Sequence, residues 1–329
     1  MVTPLSVLDL VPVVEDGSIG AALTAAGELA RTAEGLGYHR FWVAEHHGMA
    51  GIASAATAVT LAHIGHATTT IRIGAGGIML PNHNPFVIAE QFGTLDALFP
   101  GRIDLGLGRA PGADARIARM LRKELHAASQ HFPEDVVELR ALFAGDARLP
   151  LQATPGAGAR IEMWILGSSL FGAQLAGILG LPFAFASHFA PDQLDAALKL
   201  YRERFEPSDS LDRPHAMAAM NVQTAETDEQ ATLLQSSMDQ AFVALRSATP
   251  GRLKPPVPRY RASLPPSALA TLEHMGQASV AGAPATVRAK VAAFLERTRA
   301  DELIIAGSTF DPEARRRSLA LTMDALAGL

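Results

Sequence analysis

Three consecutive ionisable side chains, Glu45, His46 and His47, end the apolar run Phe41-Trp42-Val43-Ala44. Such a run reads as a buried strand, and one that stops in a carboxylate and two imidazoles carries groups able to move protons near neutral pH at its end. In an α/β barrel that end is the catalytic rim. Successive strand side chains point to opposite sides, so His46 and His47 are poorly placed to chelate one metal together, and no metal is expected. A packed or hydrogen-bonded rim histidine is the plain alternative for either ring.

Four further places combine a strand end with chemistry. Gly74-Ala75-Gly76-Gly77-Ile78-Met79-Leu80-Pro81 contains glycines that weaken a strand, which marks a bulge, a tight turn or a place where a flat ring approaches the backbone. Gly106-Leu107-Gly108-Arg109 has the wrong spacing for a dinucleotide fingerprint and lacks the Lys-Ser/Thr of a P-loop. Its cation, Arg109, suits an anion or a structural ion pair. In Leu166-Gly167-Ser168-Ser169 the serines precede an apolar helical stretch, where a hydroxyl can cap the helix or help hold a phosphate. The second glycine of a serine-hydrolase elbow is missing there. His188, in Ala186-Ser187-His188-Phe189, is another rim candidate.

These residues need a scaffold that brings strand ends together. Short β-branched or aromatic runs alternate with Ala-rich helical stretches, the pattern of βαβ units around a parallel sheet. Strands are expected at Leu5 to Val11, Arg40 to Ala44, Ile71 to Ala75, Ile103 to Leu107, Met163 to Leu166, Pro182 to Ala186, Ala216 to Val222 and Leu303 to Ala306. Helices are expected from about Ile19 to Leu36, from about Ser54 to Ala67, and after Pro85 to about Leu98. Eight strands with helices between them predict a closed (β/α)8 TIM barrel. An open doubly wound sheet would usually place G-x-G-x-x-G after its first strand, and Leu10 to Asp16 contains no glycine. The whole chain, 1–329, reads as one barrel domain with excursions at about 110–130 and 248–285, the latter densest in Pro, Arg and Leu over 248–265. Excursions at the C-terminal face could form lids.

Composition removes whole classes. The chain has 28 Lys plus Arg against 33 Asp plus Glu, a net charge of −5, so nothing draws it to nucleic acid or anionic lipid. Without cysteine there are no disulfides, thiolate metal sites or cysteine nucleophiles. Residues 163–191 carry no Asp, Glu, Lys or Arg, yet Gly167, Ser168, Ser169, Gly172, Gln174, Gly180 and Pro182 divide them into strand, helix and strand rather than a membrane span. Asp9, Glu15 and Asp16 interrupt the opening apolar run and the first cation is Arg31, which reads against a signal peptide and makes a cytoplasmic location the expectation.

Taken together, Ala44-Glu45-His46-His47, Gly76-Gly77-Ile78-Met79-Leu80-Pro81-Asn82-His83 and Gly106-Leu107-Gly108-Arg109 resemble, in order and spacing, segments of the bacterial-luciferase-like flavin monooxygenases. The resemblance continues through Pro100-Gly101-Arg102-Ile103-Asp104, Leu166-Gly167-Ser168-Ser169, Gly180-Leu181-Pro182-Phe183 and Asp301-Glu302-Leu303-Ile304. It implies a barrel that binds FMN at its C-terminal face as reduced flavin supplied by a separate NAD(P)H flavin reductase. A C4a-peroxyflavin formed with oxygen would then oxygenate a small-molecule substrate. The resemblance makes His46 the catalytic histidine near the flavin, with Glu45 and His47 beside it. It puts Gly76-Gly77 under the isoalloxazine, where relatives often have a non-prolyl cis peptide, and Arg109, Ser168 and Ser169 at the flavin phosphate. A homodimer is the expected assembly. The luciferases have a cysteine beside the flavin where this chain has Gly108, so light emission is not implied. Ala173 stands where a hydroxyl residue often assists the phosphate. Hydride transfer with a deazaflavin, non-catalytic flavin binding and a sugar-phosphate barrel enzyme are the competing readings. The last needs a strand-end Lys or Glu pair, and Glu45 is the only carboxylate at a confident strand end.

Overall fold

The computed structural model describes residues 2–109, 120 and 125–329. Its strands are β1 (Leu5–Asp9), β2 (Arg40–Val43), β3 (Arg72–Met79), β4 (Ile103–Gly108), β5 (Glu162–Gly167), β6 (Phe183–Phe185), β7 (Ala216–Thr224), β8 (Ser279–Gly282) and β9 (Glu302–Ala306). All pairings are parallel, and β1 through β7 followed by β9 close into an eight-stranded ring, with β6 on β7 and β9 on β1. The fold is a (β/α)8 TIM barrel, as the alternation of strand and helix patterns predicts.

The helices are α1 (Ile19–Gly35), α2 (Thr57–Ala67), α3 (Pro85–Leu98), α4 (Leu125–Gln130), α5 (Phe132–Ala144), α6 (Leu170–Leu179), α7 (Leu194–Glu203), α8 (Asp228–Arg246), α9 (Pro266–Met275), α10 (Pro284–Thr298) and α11 (Pro312–Leu326). In α1, Ser18 caps the first turn through Ala21 N–H, and Ala26, Leu29, Ala30 and Ala33 bury one stripe at helical spacing. The uncharged stretch over 163–191 is β5, α6 and β6, and no helix among the described residues is long and apolar enough to cross a membrane.

Inside the ring, size is exchanged between strands. Trp42 and Trp164 meet edge to face at 5.3 Å, with Leu8, Met217, Ala219, Ile304 and Ala306 packed around them. β3 and β4 make room with glycine. A Cβ on Gly76 would lie 2.9 Å from both Leu8 Cδ1 and Trp42 Cε3, and one on Gly106 would lie 2.5 Å from Leu166 Cδ1. Barrel packing by itself therefore requires glycine at Gly76 and Gly106. The N-terminal end is closed by charge: buried Arg40 pairs with Asp104 at 2.9 Å, Glu162 at 3.0 Å and Glu302 at 3.1 Å. The Trp42 indole N–H donates to Asp104 and the Trp164 indole N–H to Glu162, both at 2.9 Å, so the aromatic layer sits on the ionic one.

Two expectations shift. Helix α2 begins at Thr57 rather than near Ser54, because the Ser54 hydroxyl donates to the carbonyls of Ala44 (2.5 Å) and Leu10 (3.2 Å) and caps nothing. The second excursion carries order that its Pro-rich sequence hides, including α9 and the short strand β8, which pairs with Asn221–Thr224 above the ring. It is also strapped to the loop after β1, where Leu253 N–H donates to Val13 and Glu15 N–H to Leu253, at 2.9 and 2.7 Å. Of the first excursion, residues 110–119 and 121–124 lie outside the described residues.

Candidate active site

The chain segment leaving β2 is tied down before the chemistry starts. Ser54 holds the Ala44 carbonyl, and Glu45 N–H donates to Gly77 across the strand boundary at 3.3 Å. The Glu45 carboxylate is buried and takes three donors: Met79 N–H at 3.1 Å on Oε2, and His47 Nε2 at 2.6 Å and His83 Nε2 at 2.8 Å on Oε1. Burial pushes this carboxyl up, but hydrogen bonding and charge from His83, then His47 and the Met79 N–H, hold it below the ordinary glutamate range. It stays ionised. One carboxylate oxygen of Glu45 and one ring nitrogen each of His47 and His83 lie within 4.8 Å of one another. Two imidazoles sharing one oxygen at these distances make a hydrogen-bonded cluster.

His46 is arranged differently from its neighbours. Its ring is half-buried and makes no hydrogen bond among the described residues, and its Nδ1 is buried without a partner. Burial holds its pKa below that of a free imidazole, against the raising effect of Glu45. The ring is thus neutral at neutral pH, able to give one proton and accept another. His188, three residues past β6 as His46 is past β2, repeats the pattern with a buried, unpartnered Nδ1. Burial and the nearby His46 push it down to about 4.

Next to Glu45, the Gly76-Gly77 peptide is cis and the β3–β4 register slips between Gly76 and Ile78. At the end of β4, a side chain on Gly108 would meet only the Ile78 carbonyl among the described residues, at 3.7 Å. Arg109 follows. It is exposed, forms no ion pair among the described residues, and stacks its guanidinium 4.0 Å above the Phe171 ring in the first turn of α6. That stack brings the end of β4 against the start of α6, where Ser168 and Ser169 lie. Ser169 occupies the cap position with extended backbone, yet its hydroxyl caps nothing, and Leu170 N–H is taken instead by the Gln193 side chain at 3.3 Å. The capping explanation for Ser169 is therefore set aside. Ala173 is fully buried in the core, so the lack of a hydroxyl there removes nothing from the exposed end of α6.

The residues at this end of the barrel fall into two groups: Glu45, His46, His47 and His188 around the opening, and Arg109 with Ser168 and Ser169 to one side. Sequence reasoning missed His83 as a carboxylate partner and Phe171 as the platform for Arg109. Both contacts cross between strands far apart in the chain. The only sequence signal was the charged or aromatic residue standing just after a strand.

Comparison with known proteins gives the family and the fold. The family described as luciferase-like monooxygenase matches residues 5–302. The chain belongs to the luciferase-like monooxygenase family. A protein of Escherichia coli (strain K12) named luciferase-like monooxygenase is 49% identical over 320 residues, covering 97% of this chain and 96% of its own. The crystal structure of apo-MsnO8 superposes with a TM-score of 0.88 at 32% identity, covering 98% of each chain. More distant solved structures share the fold. The oxygenating constituent of 3,6-diketocamphane monooxygenase, in complex with FMN, has a TM-score of 0.72 at 17% identity over 99% of this chain and 98% of its own. An F420-dependent secondary alcohol dehydrogenase scores 0.71 at 16% identity over 99% of each.

Proposed function

We propose that this protein is a flavin-dependent monooxygenase that takes reduced FMN and molecular oxygen and acts on a small organic substrate. The observation that carries the cofactor reading is the Arg109–Phe171 stack: a guanidinium without an ion-pair partner among the described residues, set beside a helix start whose serine hydroxyl is unused. A dianionic phosphate satisfies all three features together. Reduced FMN supplies the two electrons that activate oxygen, one atom of which enters the substrate while the other leaves as water.

The chain's own contribution is placement and proton movement. Arg109, Ser168 and Ser169 hold the phosphate, and Gly76 and Gly77 border the ring. Ionised Glu45 fixes the orientation of His47 and His83 and the Met79 amide. Neutral His46, whose ring makes no hydrogen bond among the described residues, moves a proton at the reacting end. The same reading takes the whole chain as one barrel unit that works as a cytoplasmic homodimer, with a separate NAD(P)H-dependent reductase providing the reduced flavin.

The test is anaerobic titration with reduced FMN and, in parallel, with reduced deazaflavin F420, each followed by an oxygen pulse. Tight binding of reduced FMN and protein-dependent oxygen uptake on the pulse are the expected result. Binding of reduced F420 with no oxygen uptake would replace the proposal with hydride transfer. Binding of reduced FMN whose oxidation is no faster than in free solution would leave a non-catalytic flavin carrier.

A further inference from the structure

His46 and His188 leave the barrel on opposite sides: three strands separate β2 from β6 in either direction around the ring. Each histidine stands three residues past its strand at the same end of the barrel with Nδ1 buried and without a partner, and the charge on His46 contributes to the lowered pKa of His188. Their backbones are fastened. Ser187, fully buried, donates its hydroxyl to the Ala219 carbonyl at 2.5 Å, and buried Asn221 donates its amide to the His188 carbonyl at 2.7 Å. On the other side, Ser54 and Met79 hold Ala44 and Glu45. Both backbones are thus held, while neither ring makes a hydrogen bond among the described residues.

The buried Nδ1 atoms decide the tautomer. A covered N–H without an acceptor costs more than a covered lone pair without a donor, and orphaned donors are the rarer of the two in folded proteins. Each neutral ring therefore keeps Nδ1 bare and carries its proton on Nε2, the edge left to face the opening. Two N–H donors on opposite walls of one opening, with no positive charge on either, suit one oxygen atom rich in electrons.

We propose that His46 and His188 together form a two-donor seat for a single ligand oxygen, either a carbonyl oxygen or an oxyanion such as a carboxylate. His188 is thereby a second ligand-contacting residue, and the seat selects substrates that present such an oxygen to the opening. This rests on the reading of the opening as the active site, while its test needs no flavin.

Benzoate serves as the carboxylate probe and benzylamine as its cationic counterpart, with ¹⁵N-histidine NMR of the flavin-free protein near pH 7.5 as the readout. Both rings are expected as neutral Nε2–H tautomers, and benzoate should shift the two sets of resonances along one saturation curve while benzylamine shifts neither. His188→Leu should weaken benzoate about tenfold or more. His188→Gln, which restores an N–H donor and guards against a fold defect, should recover most of that loss. An Nδ1–H tautomer on either ring, a benzoate shift confined to His46 that His188→Leu leaves unchanged, or no shift at all would each overturn the seat. Reduced-FMN binding is measured separately. Benzoate saturation without FMN binding leaves the seat standing and removes the flavin reading; the reverse removes the seat alone.

Discussion

Replacing His46 with Ala should leave the barrel intact, because the ring is half-buried and holds nothing in place among the described residues. Turnover is expected to fall by about 100- to 10,000-fold, the usual loss for a general acid or base, with the unfolding temperature almost unchanged. Steady-state rates with reduced FMN and a turned-over substrate, alongside a thermal melt, check this. Undiminished turnover would make His46 a structural residue. The roles of the three consecutive rim residues could be told apart only in three dimensions. All three were visible as charges interrupting an apolar strand, but that Glu45 binds His47 and His83 while His46 stands free depends on β3 lying beside β2.

Among the elements, the turn between α2 and β3 is held by one carboxylate. Glu34, near the end of α1, accepts the consecutive amides of Thr69, Thr70 and Ile71 at 2.8, 2.6 and 2.9 Å. Burial raises its pKa, but the amides of Thr70, Ile71 and Thr69 outweigh that and bring it to about 2 from an ordinary 4.5. A carboxyl with a depressed folded pKa contributes its stability above the unfolded value and loses it as pH falls. The loss here runs from about pH 4.5 to about pH 2. Glu34→Ala should cost about 1–2 kcal/mol at pH 7, discounted for partial exposure, and the difference from the parent should vanish towards pH 2. Urea unfolding at several pH values measures it, and a pH-independent difference would reject the assignment. The strands were legible because buried parallel strands are continuous apolar runs. Strand β8 was not, since Ser279-Val280-Ala281-Gly282 is short and weakly apolar. Ser54 and Ser169 show why helix starts were less certain: Ser54 lies two residues before the cap position of α2 and Ser169 at that of α6, and neither hydroxyl caps its helix.

At the scale of the whole molecule, the barrel is graded along its axis. Paired charges around Arg40 close one end, Trp42 and Trp164 fill the middle against glycine strands, and the other end collects polar groups that make no ion pair or side-chain hydrogen bond among the described residues: Arg109, the Ser169 hydroxyl, His46 and His188. Polar groups left unsatisfied at one end of a well-packed barrel are what a ligand completes. The account therefore stands on a flavin whose phosphate lies at Arg109. The direct measurement is the anaerobic dissociation constant of reduced FMN and of reduced riboflavin for the parent and for Arg109→Ala. A lost charge-assisted hydrogen bond should weaken FMN about ten- to over a hundredfold and leave riboflavin, which has no phosphate, almost unchanged. Equal losses for the two flavins, or none for either, would contradict it.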